Sequence, residues 1–178
     1  ESNADGNSFE AVRDELTRQA GTVENWLKQK GFKNTEIKVE NINVQRNYYL
    51  QNNQPPFNGK VKVSLQTNNV EALSNASGKT TELLDMGVFL NGDEWTIRPK
   101  FYFTQVNSIK SELLAQATKA ARASAQQFAE DSGAEVGGIK RADQGLIVLM
   151  PGNRIEESHE FHKDKIARVV STLDFYIE

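Results

Sequence analysis

At 178 residues the chain is long enough for one sizeable domain. Its 21 Lys+Arg against 24 Asp+Glu leave a net charge of −3, so no basic excess points to nucleic acid or to an anionic membrane. The absence of cysteine excludes disulfides, thiolate chemistry, iron–sulfur clusters and Cys-ligated zinc, and two histidines in one stretch exclude most triads and multi-His metal centres.

The first helix is announced by Asn7 and Glu10, which read as a capping box satisfying free N–H groups of the first turn. Phe9, Val12, Leu16, Ala20, Val23 and Leu27 then recur every three or four residues, the stripe of an amphipathic helix that Gly31 ends. From Thr35 the period becomes two. Ile37 and Val39 are out of step with Ile42 and Val44, which predicts a bulge or break near Glu40 and Asn41. Val61, Val63 and Leu65 alternate cleanly as the next strand. Between them runs a long hairpin connection, residues 47–59, carrying Tyr48, Tyr49 and Phe57.

A second helix is predicted over 70–86, with Val70, Leu73, Ala76, Leu83 and Leu84 on one side and a stop at Gly87. Trp95, Ile97, Phe101 and Phe103 predict a strand that Pro99 confines to an edge or a bulge. The third helix, 108–132, carries a narrow stripe of Ile109, Leu113, Ala117, Ala121, Ser124 and Phe128 and stops at Gly133. Short strands at 136–139 and 146–150 follow, the latter far too short to span a membrane. In a terminal strand over 165–177, Val169, Leu173, Phe175 and Ile177 share one face. Single helices alternating with hairpins predict an α+β fold, a largely antiparallel sheet of about six to seven strands packed with three helices, in the order (β)-α-β-β-α-β-α-β-β-β.

Reactive chemistry is sparse. Glu156, His159 and His162 are weak candidates for a divalent-metal site, since imidazole and carboxylate together suit zinc, nickel or copper. The histidines lack the spacing of a zinc hydrolase, and a solvated charge run is the better reading, so neither a metal nor any other cofactor is expected. The paired glycines Gly137 and Gly138 mark a bulge or close backbone approach more readily than an anion site. The aromatic loop has two readings: it folds back on its own sheet, or it presents apolar surface to a partner.

Two segments, QQFAEDSGAEVGGIKRADQG (126–145) and KIARVVSTLDFYIE (165–178), resemble the SIMPL-domain family of bacterial proteins. The order of elements between the first helix and the helix SIKSELLAQATKAARASAQQFA (108–129) is similar too. No Pro/Gly/Ser linker divides the chain, so it reads as one domain over 1–178 with the hairpin at 45–60 protruding, and the resemblance makes that domain SIMPL-like. It implies a periplasmic or membrane-anchored protein of the bacterial envelope, linked to stress defence and acting as a homo-oligomer or with an envelope-protein partner. It brings no catalytic residue set. The expected function is therefore non-enzymatic, through self-assembly or partner binding, with Tyr48, Tyr49 and Phe57 as contact residues. No nucleic-acid partner is expected, and membrane attachment only through an anchor absent from this chain. The alternative is a small-molecule- or metal-binding protein or enzyme with a pocket between helices and sheet. Relatives of this type begin with a strand feeding the first helix. Residues 1–6 are all polar or small, so the expectation is that this strand is missing here.

Overall fold

A computed structural model describes residues 1–48, 54–91, 98–153 and 158–178. Tyr49, Trp95, Ile97 and Glu156 lie outside the described residues. The class is α+β, with all strand pairs antiparallel. The chain divides into two compact units, Glu1–Pro99 and Lys100–Glu178.

The first unit is built around helix α1 (Phe9–Gln29). Its N-cap is Ser8, one residue later than the predicted Asn7; the Ser8 hydroxyl accepts from the Ala11 N–H at 3.1 Å. The predicted stripe is buried from Val12 to Leu27, while Phe9 stays exposed and Trp26 and Gln19 join the buried face. Gly31 ends the helix at φ 94°, as its placement predicted.

A strand forms in residues 2–6, where none was expected. Residues Ser2–Gly6 form β1, which pairs antiparallel with β4 (Phe57–Val61), with Ser2 against Val61 and Gly6 against Phe57. Its sequence, Ser-Asn-Ala-Asp-Gly, has no residue that favours a strand. The hydrogen-bond ladder to β4 creates it, together with the burial of Ser2 and the packing of Ala4 under α1. Beyond it, Leu90 bridges Ser2, and the Asn91 N–H donates to the Glu1 carbonyl at 2.7 Å.

The predicted break at Glu40 is where the hairpin changes partners. Strand β2 (Ile37–Val39) pairs with β5 (Val63–Leu65), and β3 (Asn43–Arg46) pairs with β4. Both arms break at the same level, where the Glu40 N–H donates to the Lys62 carbonyl at 2.8 Å. The three-stranded sheet therefore runs β1-β4-β3, with β2-β5 as a separate pair. Val12, Leu16, Ala20 and Val61 form the core between α1 and the first sheet. Val23, Trp26, Leu27, Phe32, Ala76, Leu83 and Val88 form a second core around helices α2 (Val70–Ser77) and α3 (Thr81–Asp85). These two replace the single helix expected over 70–86. Gly78 and Thr80 interrupt it, so Leu83 turns inward and Leu84 is left exposed.

Several carboxylates of this unit are held in their charged form. Glu82 accepts the Lys30 ammonium at 2.5 Å and the Trp26 indole N–H at 2.7 Å, and these lower its pKa in that order. The Thr67 hydroxyl and then the Lys33 backbone N–H lower that of Glu36, and the Ser64 hydroxyl lowers that of Glu40. A carboxylate lowered in the folded state contributes stability above its unfolded value of about 4.3, and loses it as pH falls through the folded value. Stability of the first unit is thus expected to stay flat from pH 7 to about 5 and to fall below about 4. Glu82→Gln should make that acid limb shallower in urea titrations at each pH; an unchanged limb would remove Glu82 from this role.

The second unit is one long helix on one long hairpin. Helix α4 (Val106–Ser132) begins two residues before the predicted start and ends at Gly133 as predicted. Its inward side runs through Ala121, Ala125 and Ala129 rather than Ser124 and Phe128, and Phe128 is 76% exposed. The two short strands expected at 136–139 and 146–150 are one strand, β6 (Val136–Pro151), paired along its length with β7 (Lys165–Ile177). Residues 98–105 hold no strand, against the alternation that predicted one. Instead the Phe101 N–H donates at 2.6 Å to the Glu160 carbonyl of the 3-10 turn His159–Phe161.

Candidate interaction surfaces

The 16 residues of β6 face 13 of β7, and the excess is absorbed at three register shifts. The shift between Gln144 and Ile147 sets Gly145 and Leu146 against Val170 alone. A Cβ at Gly145 would meet the Val170 carbonyl oxygen at 2.7 Å, so the bulge requires glycine there. Gly137 and Gly138 lie at another shift, in line with the structural reading of that pair.

Along β7 the faces separate by parity. Val169, Ser171, Leu173 and Phe175 are half-buried, and Phe175 stacks under the Arg122 guanidinium of α4 at 5.2 Å. Arg122 also donates to the Gly137 carbonyl at 3.2 Å, tying helix to hairpin. The other face carries Arg168, Val170, Thr172, Asp174 and Tyr176, all exposed, with Val148 opposite Arg168. Leu146, in the bulge, is 84% exposed. Among the described residues each strand pairs only with the other, so both outer edges carry unpaired backbone groups. A two-stranded ribbon is marginal by itself, and here a helix covers one face while the other is bare and partly apolar.

The predicted aromatic contact residues behave differently from one another. Tyr48 is 81% exposed, whereas Phe57 is half-buried and packs against the core under α1. Arg46 links them, its guanidinium 5.8 Å from the Tyr48 ring and 5.9 Å from that of Phe57. Phe57 thus folds back on its own sheet, and Tyr48 faces outward.

His159 opens the 3-10 turn and His162 follows it, and Lys165 reaches both backbones. Its ammonium donates to the His159 carbonyl and, at 2.8 Å, to that of His162. Burial lowers the Lys165 pKa, and the Glu160 carboxylate opposes that shift. Among the described residues no three carboxylates and imidazoles converge on a common point. Val12, Leu16, Ala20 and Val61 fill the interface between α1 and its sheet. Among the described residues, no helix is long and apolar enough to cross a membrane.

A family model described as SIMPL, protein of unknown function (DUF541), matches residues 1–163. No curated protein matches the chain at a significant level.

Proposed function

The chain belongs to the SIMPL family, and from that premise we propose that it is a non-enzymatic protein of the bacterial cell envelope that works by associating with copies of itself. The observation that carries this reading is the long β6–β7 hairpin, which among the described residues is open at both edges and bare on one partly apolar face. The sequence of β7 suits a second copy. Antiparallel pairing of two β7 edges about Ser171 sets Arg168 of each chain opposite Asp174 of the other, and Val169 opposite Leu173. Such a contact is self-complementary, as a twofold interface must be. Opposite charges directly across strands are favourable, and like charges are not. Periplasmic placement and a link to stress defence belong to the same proposal and rest on family membership. Tyr48 offers a further contact of the same kind.

Native mass spectrometry of the full chain tests the assembly. Arg168→Asp sets two like charges at each end of the paired strands, and is expected to weaken association at least tenfold while leaving the circular dichroism unchanged. Adding Asp174→Arg restores opposite charges and is expected to restore the oligomer. A monomeric wild-type protein, or an oligomer indifferent to both changes, would refute the reading.

A further inference from the structure

The sheet β1-β4-β3 has a second face, turned away from α1. A Cβ at Gly59 would point at Leu16 and Val12, so Asn58 and Lys60 on either side point the other way. Register then groups the outward side chains into two cross-strand rows: Asn3, Lys60 and Asn43, then Asp5, Asn58 and Gln45. None of the six is apolar, β-branched or aromatic. Asn and Asp are among the residues that strands least favour, and four of the six are Asn or Asp. An ordinary solvated sheet face would carry Thr, Lys or Glu at lower conformational cost. The six line a concavity of about 390 Å³.

Its electrostatics narrow the ligand. The adjoining depression, about 630 Å³, adds Lys38, Lys62, Glu1 and Glu40. With Asp5 and Lys60, three ammonium groups stand against three carboxylates, and Lys60–Glu1 and Lys62–Glu40 approach at 3.7 Å and 3.4 Å. No net charge is left to attract a polyanion. Val39 is the one apolar residue among those lining the two depressions, too little for an apolar ligand, and a peptide strand would add at the outer edges of β1 or β3, beside this face rather than across it. What remains is a neutral ligand rich in paired donors and acceptors. Each amide both donates and accepts, as a sugar hydroxyl does, and strands about 4.8 Å apart repeat that pairing across the face. Asn58 already donates to the Asn47 side-chain oxygen at 2.6 Å, which fixes its own amide and turns its oxygen to acceptor use.

We propose that this amide-lined face binds a neutral oligosaccharide, an activity separate from the assembly on the second unit. The test is isothermal titration of the full chain with cellohexaose, maltohexaose and chitohexaose, and hydrogen–deuterium exchange with the strongest of them at saturation. Binding by at least one is expected, with slowed exchange confined to β1, β3 and β4. The variant Asn43→Val/Gln45→Val removes two amides and raises strand propensity. It should keep or raise the melting temperature and weaken binding at least tenfold. The proposal is overturned if none of the three binds at millimolar concentration, if protection falls on residues 100–178, or if the variant binds like the wild type. Should that variant misfold, the exchange map of the wild-type chain decides the matter.

Discussion

Gly59→Ala is expected to destabilise the first unit by about 3 kcal/mol, the upper part of the range for forced overpacking. A Cβ there would stand 2.7 Å from the Asn43 carbonyl oxygen, 2.8 Å from Leu16 Cδ1 and 2.9 Å from Val12 Cγ1. The two side chains can turn away. The carbonyl cannot, because it belongs to the neighbouring strand of the same ladder, Asn43 being the register partner of Lys60. Relief therefore requires the strands to spread or α1 to lift from a core in which Leu16 is fully buried. Leu16→Ala alone should cost about 2–5 kcal/mol through lost burial and the cavity it leaves. Combined with Gly59→Ala it should cost less than the sum, since the shortened side chain removes one clash, yet more than either alone, since the carbonyl remains. Both tryptophans, Trp26 and Trp95, fall within residues 1–99, so fluorescence-detected urea unfolding reads this unit selectively. A Gly59→Ala protein with wild-type stability would mean that the helix and sheet are not packed as closely as described.

Trp26→Ala should be the most damaging single truncation in the second core of that unit, at about 3–5 kcal/mol. The ring is buried among Val23, Leu27, Ala76, Leu83 and Val88, so its removal leaves a large cavity between α1 and the helices that follow the hairpin. Its indole N–H also holds Glu82, and the Lys30 ammonium lies 5.4 Å from the ring centre. Trp26→Phe separates the two contributions: it keeps most of the packing, loses the hydrogen bond, and should cost well under half as much. Urea unfolding followed by far-UV circular dichroism reads both variants. Equal losses for Ala and Phe would place the energy in the polar link rather than in the cavity.

Neither glycine nor tryptophan announces these roles in the chain itself. Gly59 lies in a loop-like stretch between Pro56 and Lys60, and Trp26 stands one residue off the stripe that ends at Leu27. Residues that act through their own backbone or their near neighbours were legible from the sequence. The glycines at 31, 87 and 133 all adopt positive φ where a helix was expected to stop, because the cost of that conformation to any other side chain is local. The out-of-step pair Ile37/Val39 and Ile42/Val44 located the break in the hairpin, since a strand cannot shift its faces by one residue without one. The α+β class and the family pattern followed from such signals, accumulated along most of the chain.

Tertiary structure decided whatever depends on a distant partner. Ser2–Gly6 is a strand only because β4 offers it a ladder; nothing in five polar or small residues asks for one. The aromatic alternation across Phe101 and Phe103 meets no partner strand, so the described part of it stays irregular and docks on the 3-10 turn. Strand β6 runs unbroken through Lys140, Arg141, Ala142 and Asp143, a polar stretch without alternation, because β7 supplies hydrogen bonds along its length and bulges absorb the mismatch. The same reason hid both proposed surfaces. A row such as Asn3, Lys60 and Asn43, or an edge that sets Arg168 against a copy of Asp174, is a relation between strands, and side-chain periodicity within one strand carries no record of its neighbours.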